Sequence, residues 1–100
     1  MIDQGRARAI ADEYLSGPRF GEEREFIRIF HQREEPFGWV FFFNDRRFTE
    51  TGDTRYALKG NIPLVVLRST GEVCRLPWNP NIEAAISTFV HALETKTPES

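Results

Sequence analysis

Gly38-Trp39-Val40-Phe41-Phe42-Phe43 places five large apolar residues in a row, with neither parity left polar. A strand with one wet face alternates apolar and polar residues, so this run predicts an inner strand covered on both faces. Upstream, Glu34-Glu35-Pro36-Phe37-Gly38 supplies turn residues. Before that turn, Phe26-Ile27-Arg28-Ile29-Phe30-His31 mixes β-branched and aromatic residues with polar ones, the composition of a strand. The two runs predict an antiparallel hairpin. Downstream, Pro63 opens a third strand over Leu64-Val65-Val66-Leu67, and Ser69-Thr70-Gly71 turns it into a fourth over Glu72–Leu76. A second hairpin follows.

Helical spacing brackets these strands. Ala7, Ile10, Ala11, Tyr14 and Leu15 line one face of a helix that Asp3 caps and Gly17-Pro18 stops. The clearest element is the last: Asn79 as cap, Pro80 at the first helical position, then Ile82, Ala85, Ile86, Phe89, Val90 and Leu93 on one stripe. Residues 44–62 predict a long connection containing a short helical turn, capped by Asp53 and stopped at Gly60. The expected architecture is α+β: a four-stranded, mainly antiparallel sheet of two hairpins, with the N- and C-terminal helices packed on one face. Residues 1–96 read as one domain and 97–100 as a frayed tail.

Composition narrows the function. A chain of 100 residues with 40% hydrophobic side chains, nine Phe, two Trp and two Tyr carries enough apolar material for one core. Thirteen basic against 15 acidic residues give a net charge of -2, so no general field draws the chain to nucleic acid or anionic lipid. Cys74 is the single cysteine, which excludes an internal disulfide and suits a reducing compartment. No basic start leads into an apolar run and no run approaches membrane-spanning length, so the cytoplasm is the expected location.

The residues carry no catalytic, cofactor or metal signature. Cys74 with His91 would make a thiol nucleophile only if the fold joined them; a small strand residue and a polar-face histidine are the simpler reading. His31 lacks a second ligand at metal spacing. Gly52 and Gly60 match no phosphate loop and read as turn glycines. Sheet aromatics could stack bases, but the element order and the charge argue instead that most of Phe26, Phe30, Phe41, Phe42 and Phe43 are core. Protein-binding features remain. Arg46, Arg47, Arg55 and Lys59 lie beside Tyr56 in the irregular connection, a combination suited to interface anchors. Glu22, Glu23, Glu34 and Glu35 cluster at the two ends of the first strand, and Trp78 joins them as a second group of contacts.

One block is more specific than its composition: Gly38-Trp39-Val40-Phe41-Phe42-Phe43, then Glu50-Thr51-Gly52-Asp53, then Ala57-Leu58-Lys59-Gly60-Asn61-Ile62-Pro63, with Gly71 in the following turn. It resembles the immunity protein 35 family, also called the YrhB-like domain, and the resemblance runs over nearly the whole chain. The family implies a non-enzymatic immunity protein of a bacterial polymorphic toxin system, whose partner is a cognate toxin domain, papain-like peptidases being typical. From charge, motifs and hydropathy no cofactor, nucleic acid or membrane is expected, and self-association is left open. A chaperone-like binder of partly unfolded proteins is the alternative. The chain departs from its relatives at Arg75-Leu76-Pro77-Trp78-Asn79-Pro80, a surface that bears on partner choice. Within the block, Gly52, Gly60 and Pro63 have a structural role open to them in shaping the connection, Asp53 and Asn61 in capping it, and Trp39 in filling the core.

Overall fold

A computed structural model describes residues 1–17, 21, 24–58 and 62–96. In order, it contains helix α1 (Gln4–Leu15), strands β1 (Ile27–Glu35) and β2 (Gly38–Asp45), and a short helix α2 (Arg46–Thr51). A 3-10 turn (Thr54–Tyr56), strands β3 (Leu64–Leu67) and β4 (Val73–Arg75), and helix α3 (Ile82–Lys96) complete it. The strands form one sheet in the order β1-β2-β3-β4, every neighbour antiparallel. This is the expected α+β fold. Because β2 also pairs with β3, the two hairpins fuse into a continuous meander.

The inner position of β2 explains its unbroken apolar run. Trp39, Phe41 and Phe43 point to one face with Leu64 and Val66, and there α1 lays down Ala7, Ala11 and Leu15. Val40 and Phe42 point the other way with Val65, where Ala85, Ile86 and Phe89 of α3 cover them. The expectation that both terminal helices share a face is therefore corrected: α1 takes one face and α3 the other. Two cores result, and alternate residues of β2 feed each. Close packing starts at Gly38, whose φ of +153° and approach to β3 exclude a side chain. A Cβ there would lie 2.1 Å from the Val66 carbonyl oxygen.

Edge strand β1 departs further from the sequence reading. It continues through the polar residues up to Glu35, because an edge strand needs apolar residues only where a helix covers it. A bulge between Ile29 and His31 inserts Phe30, which is 59% exposed and not core. The bulge also switches parity: Ile27 and Ile29 face α1 before it, and His31 pairs with Phe42 on the α3 side after it. Phe41 and Phe43 are buried as expected, while Phe42 and Phe26 are only half-buried.

The helix ends shift slightly. Asp3 caps α1 by accepting the Arg6 amide at 2.8 Å, and the helix ends at Leu15 with Ser16 as its C-cap, just before Gly17; Pro18 lies outside the described residues. Asn81, not Asn79, caps α3: its Oδ1 accepts the amides of Glu83 and Ala84 at 3.0 and 3.2 Å. Asn79 instead accepts the Asn81 amide at 2.8 Å, forming the turn that leads in. The expected stop at Gly60 and the tail at 97–100 lie outside the described residues.

Candidate functional site

Two short stretches eight residues apart repeat one local device. In Asp45-Arg46-Arg47, the Asp45 carboxylate caps α2 by accepting the Arg47 amide at 2.8 Å. The same carboxylate takes the Arg47 guanidinium through Nε at 3.0 Å and Nη2 at 2.7 Å. In Asp53-Thr54-Arg55, Asp53 caps the 3-10 turn through the Arg55 amide at 3.0 Å and holds that guanidinium through Nε at 3.1 Å and Nη2 at 2.7 Å. An aspartate followed two residues later by arginine thus starts a helical turn and orients a planar cation at once.

Tertiary structure stacks these cations on rings. The Arg47 guanidinium carbon lies 3.7 Å from the centre of the Phe26 ring and 4.3 Å from that of Tyr56. Arg46 stands 5.5 Å from Phe26, and Arg55 5.7 Å from Tyr56. The result is an alternating ladder: Arg46, Phe26, Arg47, Tyr56, Arg55. Each such contact is worth about 0.5–1 kcal/mol when exposed and ~2 kcal/mol when desolvated. The hydrogen-bonded Arg47 side chain holds the Asp45 carboxyl below its ordinary pKa, against an opposing push from burial, and the Arg47 amide and the Arg46 charge add to the effect. Asp53 is lowered in the same way by the Arg55 side chain and then its amide. Arg46 meets Glu50 at 3.5 Å one turn along α2. The four residues Arg46, Arg47, Arg55 and Tyr56, singled out from sequence, are thus brought together, yet each arginine faces a carboxylate of its own chain. The ladder offers shape and stacking faces rather than net positive charge.

Residues 5–88 match the sequence model of the family described as Immunity protein 35, a span that takes in the ladder and most of both cores. The chain belongs to the immunity protein 35 family. It is also similar to the uncharacterized protein YrhB of Escherichia coli strain K12, with 44% identity over 52 residues. That alignment covers 52% of this chain and 55% of YrhB, so it spans about half of the curated relative. No solved structure matches.

Of the second group of sequence-chosen residues, Glu34 and Glu35 lie apart from the ladder in this family member. Glu34 and Glu35 sit at the far end of the β1-β2 pair, on the order of 25 Å of extended chain from Ile27. Glu34 binds Arg68 at 3.1 Å, and Glu35 binds Arg33 at 3.0 Å, while Arg33 also reaches Glu83 at the start of α3. The Glu34–Arg68 and Arg33–Glu83 pairs tie β1 to other parts of the fold, while Glu35 steadies Arg33 within β1. Trp78 is 74% exposed, beside a cleft of about 240 Å³ formed by Ile62, Leu76, Ile82 and three prolines. Glu22, Glu23, Lys59 and Asn61 fall outside the described residues.

Two contributors to this geometry were missed from sequence. Phe26 supplies a ring of the ladder although it lies 20 residues before Arg46. Asn44, 9% exposed, accepts the Leu58 amide at 3.0 Å and so pins the irregular connection to the sheet. Cys74 packs half-buried in the α3 core, and His91 lies exposed on α3. Among the described residues, no group of three or more His, Cys, Asp or Glu is placed to hold a metal, and no helix is long and apolar enough to cross a membrane.

Proposed function

We propose that this chain is a non-enzymatic immunity protein that binds a cognate toxin domain, of the papain-like peptidase type or a related one, and covers the surface that the toxin needs for activity. The observation that carries the reading is the ladder. Its Arg and Tyr side chains are the types enriched at interface hot spots, and stacking holds them in place before a partner arrives. A preorganised patch loses little side-chain entropy on binding, which favours a tight complex. Family membership supplies the class of partner. Arg46, Arg55 and Tyr56 make the contacts, Arg47 holds them in register, and Trp78 forms a second contact; Glu34 and Glu35 act at the rim. A standard interface of ~800 Å² per side would involve about 20–30 residues of this domain. The complex forms in the cytoplasm of the producing cell.

The test is co-expression of the tagged chain with the polypeptide encoded by the adjacent gene, followed by affinity capture and a growth assay. A discrete complex that survives nanomolar dilution and restores growth is expected. Separate elution without rescue would remove the immunity reading. A second reading draws on Trp78 and its apolar cleft: exposed apolar surface of that kind suits a chaperone-like binder of partly unfolded proteins. Suppressed aggregation of several unrelated clients, lost on Trp78→Ser, would favour it.

A further inference from the structure

Arg33, Arg47, Arg55 and Arg68 each face a carboxylate of their own chain within 3.1 Å. Arg24 and Arg28 differ: among the described residues, neither has a carboxylate partner. Arg24 donates from Nη1 to the Gly21 carbonyl at 3.1 Å. Arg28 donates from Nη1 to the carbonyls of Glu25 and Ile27, both at 2.8 Å. Carbonyl tethers orient a guanidinium without neutralising it. They also leave the Nε–Nη2 edge, the edge that grips a carboxylate with two parallel hydrogen bonds, without a partner.

Both arginines line a hollow of about 420 Å³ between the C-terminal end of α1 and the start of β1. Its other walls are Arg8, Asp12 and the buried side chains of Leu15 and Ile27. Asp12 is engaged by Arg8 at 3.4 Å, and Glu25 on the lining pairs with neither free arginine. An entering anion therefore meets two oriented, solvent-exposed cations beside the Asp12 and Glu25 carboxylates, so the attraction is short-range and sensitive to salt. Along the chain, Phe26 of the ladder lies between Glu25 and Ile27 of this lining.

We propose that this hollow is a carboxylate site that receives an Asp or Glu side chain of the protein docking on the ladder. The proposal rests on the reading of this chain as a partner-binding protein, and it names the chemistry of the partner's surface. A free phosphate can also grip the Nε–Nη2 edge with two oxygens, but it is a single anion, whereas adjacent carboxylates on one polypeptide can engage both arginines at once.

The hollow is tested directly by titrating 15N-labelled protein with a hexaglutamate peptide and, separately, with inorganic phosphate, following the Nε–Hε signals of Arg24 and Arg28. Both signals are expected to shift with millimolar peptide, to respond more weakly to phosphate, and to lose the peptide response when the partner arginine is replaced in Arg24→Gln or Arg28→Gln. Signals that stay still, or that respond more strongly to phosphate, overturn the proposal. Against the neighbour-encoded polypeptide, the double variant Arg24→Gln/Arg28→Gln is expected to bind at least about tenfold more weakly at ~0.1 M salt, with the gap narrowing as salt rises. Equal binding overturns the proposal while leaving the immunity reading intact. Failure of the wild type to bind that polypeptide strikes the immunity reading alone, since the peptide titration reads the hollow without it.

Discussion

Asp45-Arg46-Arg47 and Asp53-Thr54-Arg55 are the same device in two settings. In the first, the Asp45 side chain is 1% exposed and that of Arg47 30%, with a ring on each side of the guanidinium. In the second, Asp53 is 29% exposed and Arg55 79%. Hydrogen-bond geometry is nearly identical, so the difference lies in the surroundings. A shielded pair that loses one member leaves an uncompensated charge, whereas an exposed pair is replaced by water at little cost. The comparison teaches that Arg47 is a structural clamp and Arg55 a side chain available to a partner.

The sharpest way to break this contrast is Arg47→Ala, expected to cost about 3 kcal/mol because it strands the Asp45 carboxylate. A urea melt showing under ~1 kcal/mol would mean that the two settings are equivalent. Asp45→Asn comes next, at roughly 2 kcal/mol near neutral pH for the lost charged hydrogen bonds. It also carries a pH signature. The ordinary Asp45 value is near 3.8 and folding lowers it, so its contribution is fully present above about pH 4 and is lost as pH falls through the folded value. Melts of the wild type between pH 6 and pH 3 should lose more stability than those of Asp45→Asn; parallel losses would remove Asp45 as the titrating group.

Gly52 sits between the two devices and ends α2 in the left-handed conformation, at φ +75°. Nothing crowds a Cβ there, so Gly52→Ala is expected to cost only the backbone strain, ~1 kcal/mol in the same melt. Arg55→Ala should have the smallest effect on stability, because solvent screens the exposed pair and replaces it readily. On the proposed function, its effect falls on binding instead. A loss of roughly tenfold or more in affinity for the toxin, read by calorimetry, would set it apart from Arg47, and unchanged neutralisation by Arg55→Glu would take Arg55 off the binding face.

The parts legible from sequence were those set by neighbours along the chain. The α3 stripe, the α1 stripe and β3 follow helical or strand periodicity, and all six residues of the α3 stripe lie in one core. Asp53 as a cap was readable because capping is a local hydrogen bond. The equivalent role of Asp45 was hidden at the end of an apolar strand, so α2 read as irregular chain. The bulge at Phe30 was equally invisible, since it arises from the register between two strands. Nor does a list of arginines tell which are already matched: Arg47 and Arg28 look alike in sequence and differ wholly in partner.

Local chemistry along the chain was enough to establish the four strands and the two terminal helices, their order and the need to cover both faces of β2. Choosing which helix covers which face required the folded molecule, because that choice depends on where the connections cross the sheet. The ladder depends on it as well: its rings and cations come from segments up to 30 residues apart, Phe26 to Tyr56, and meet only when β1 and β2 pair.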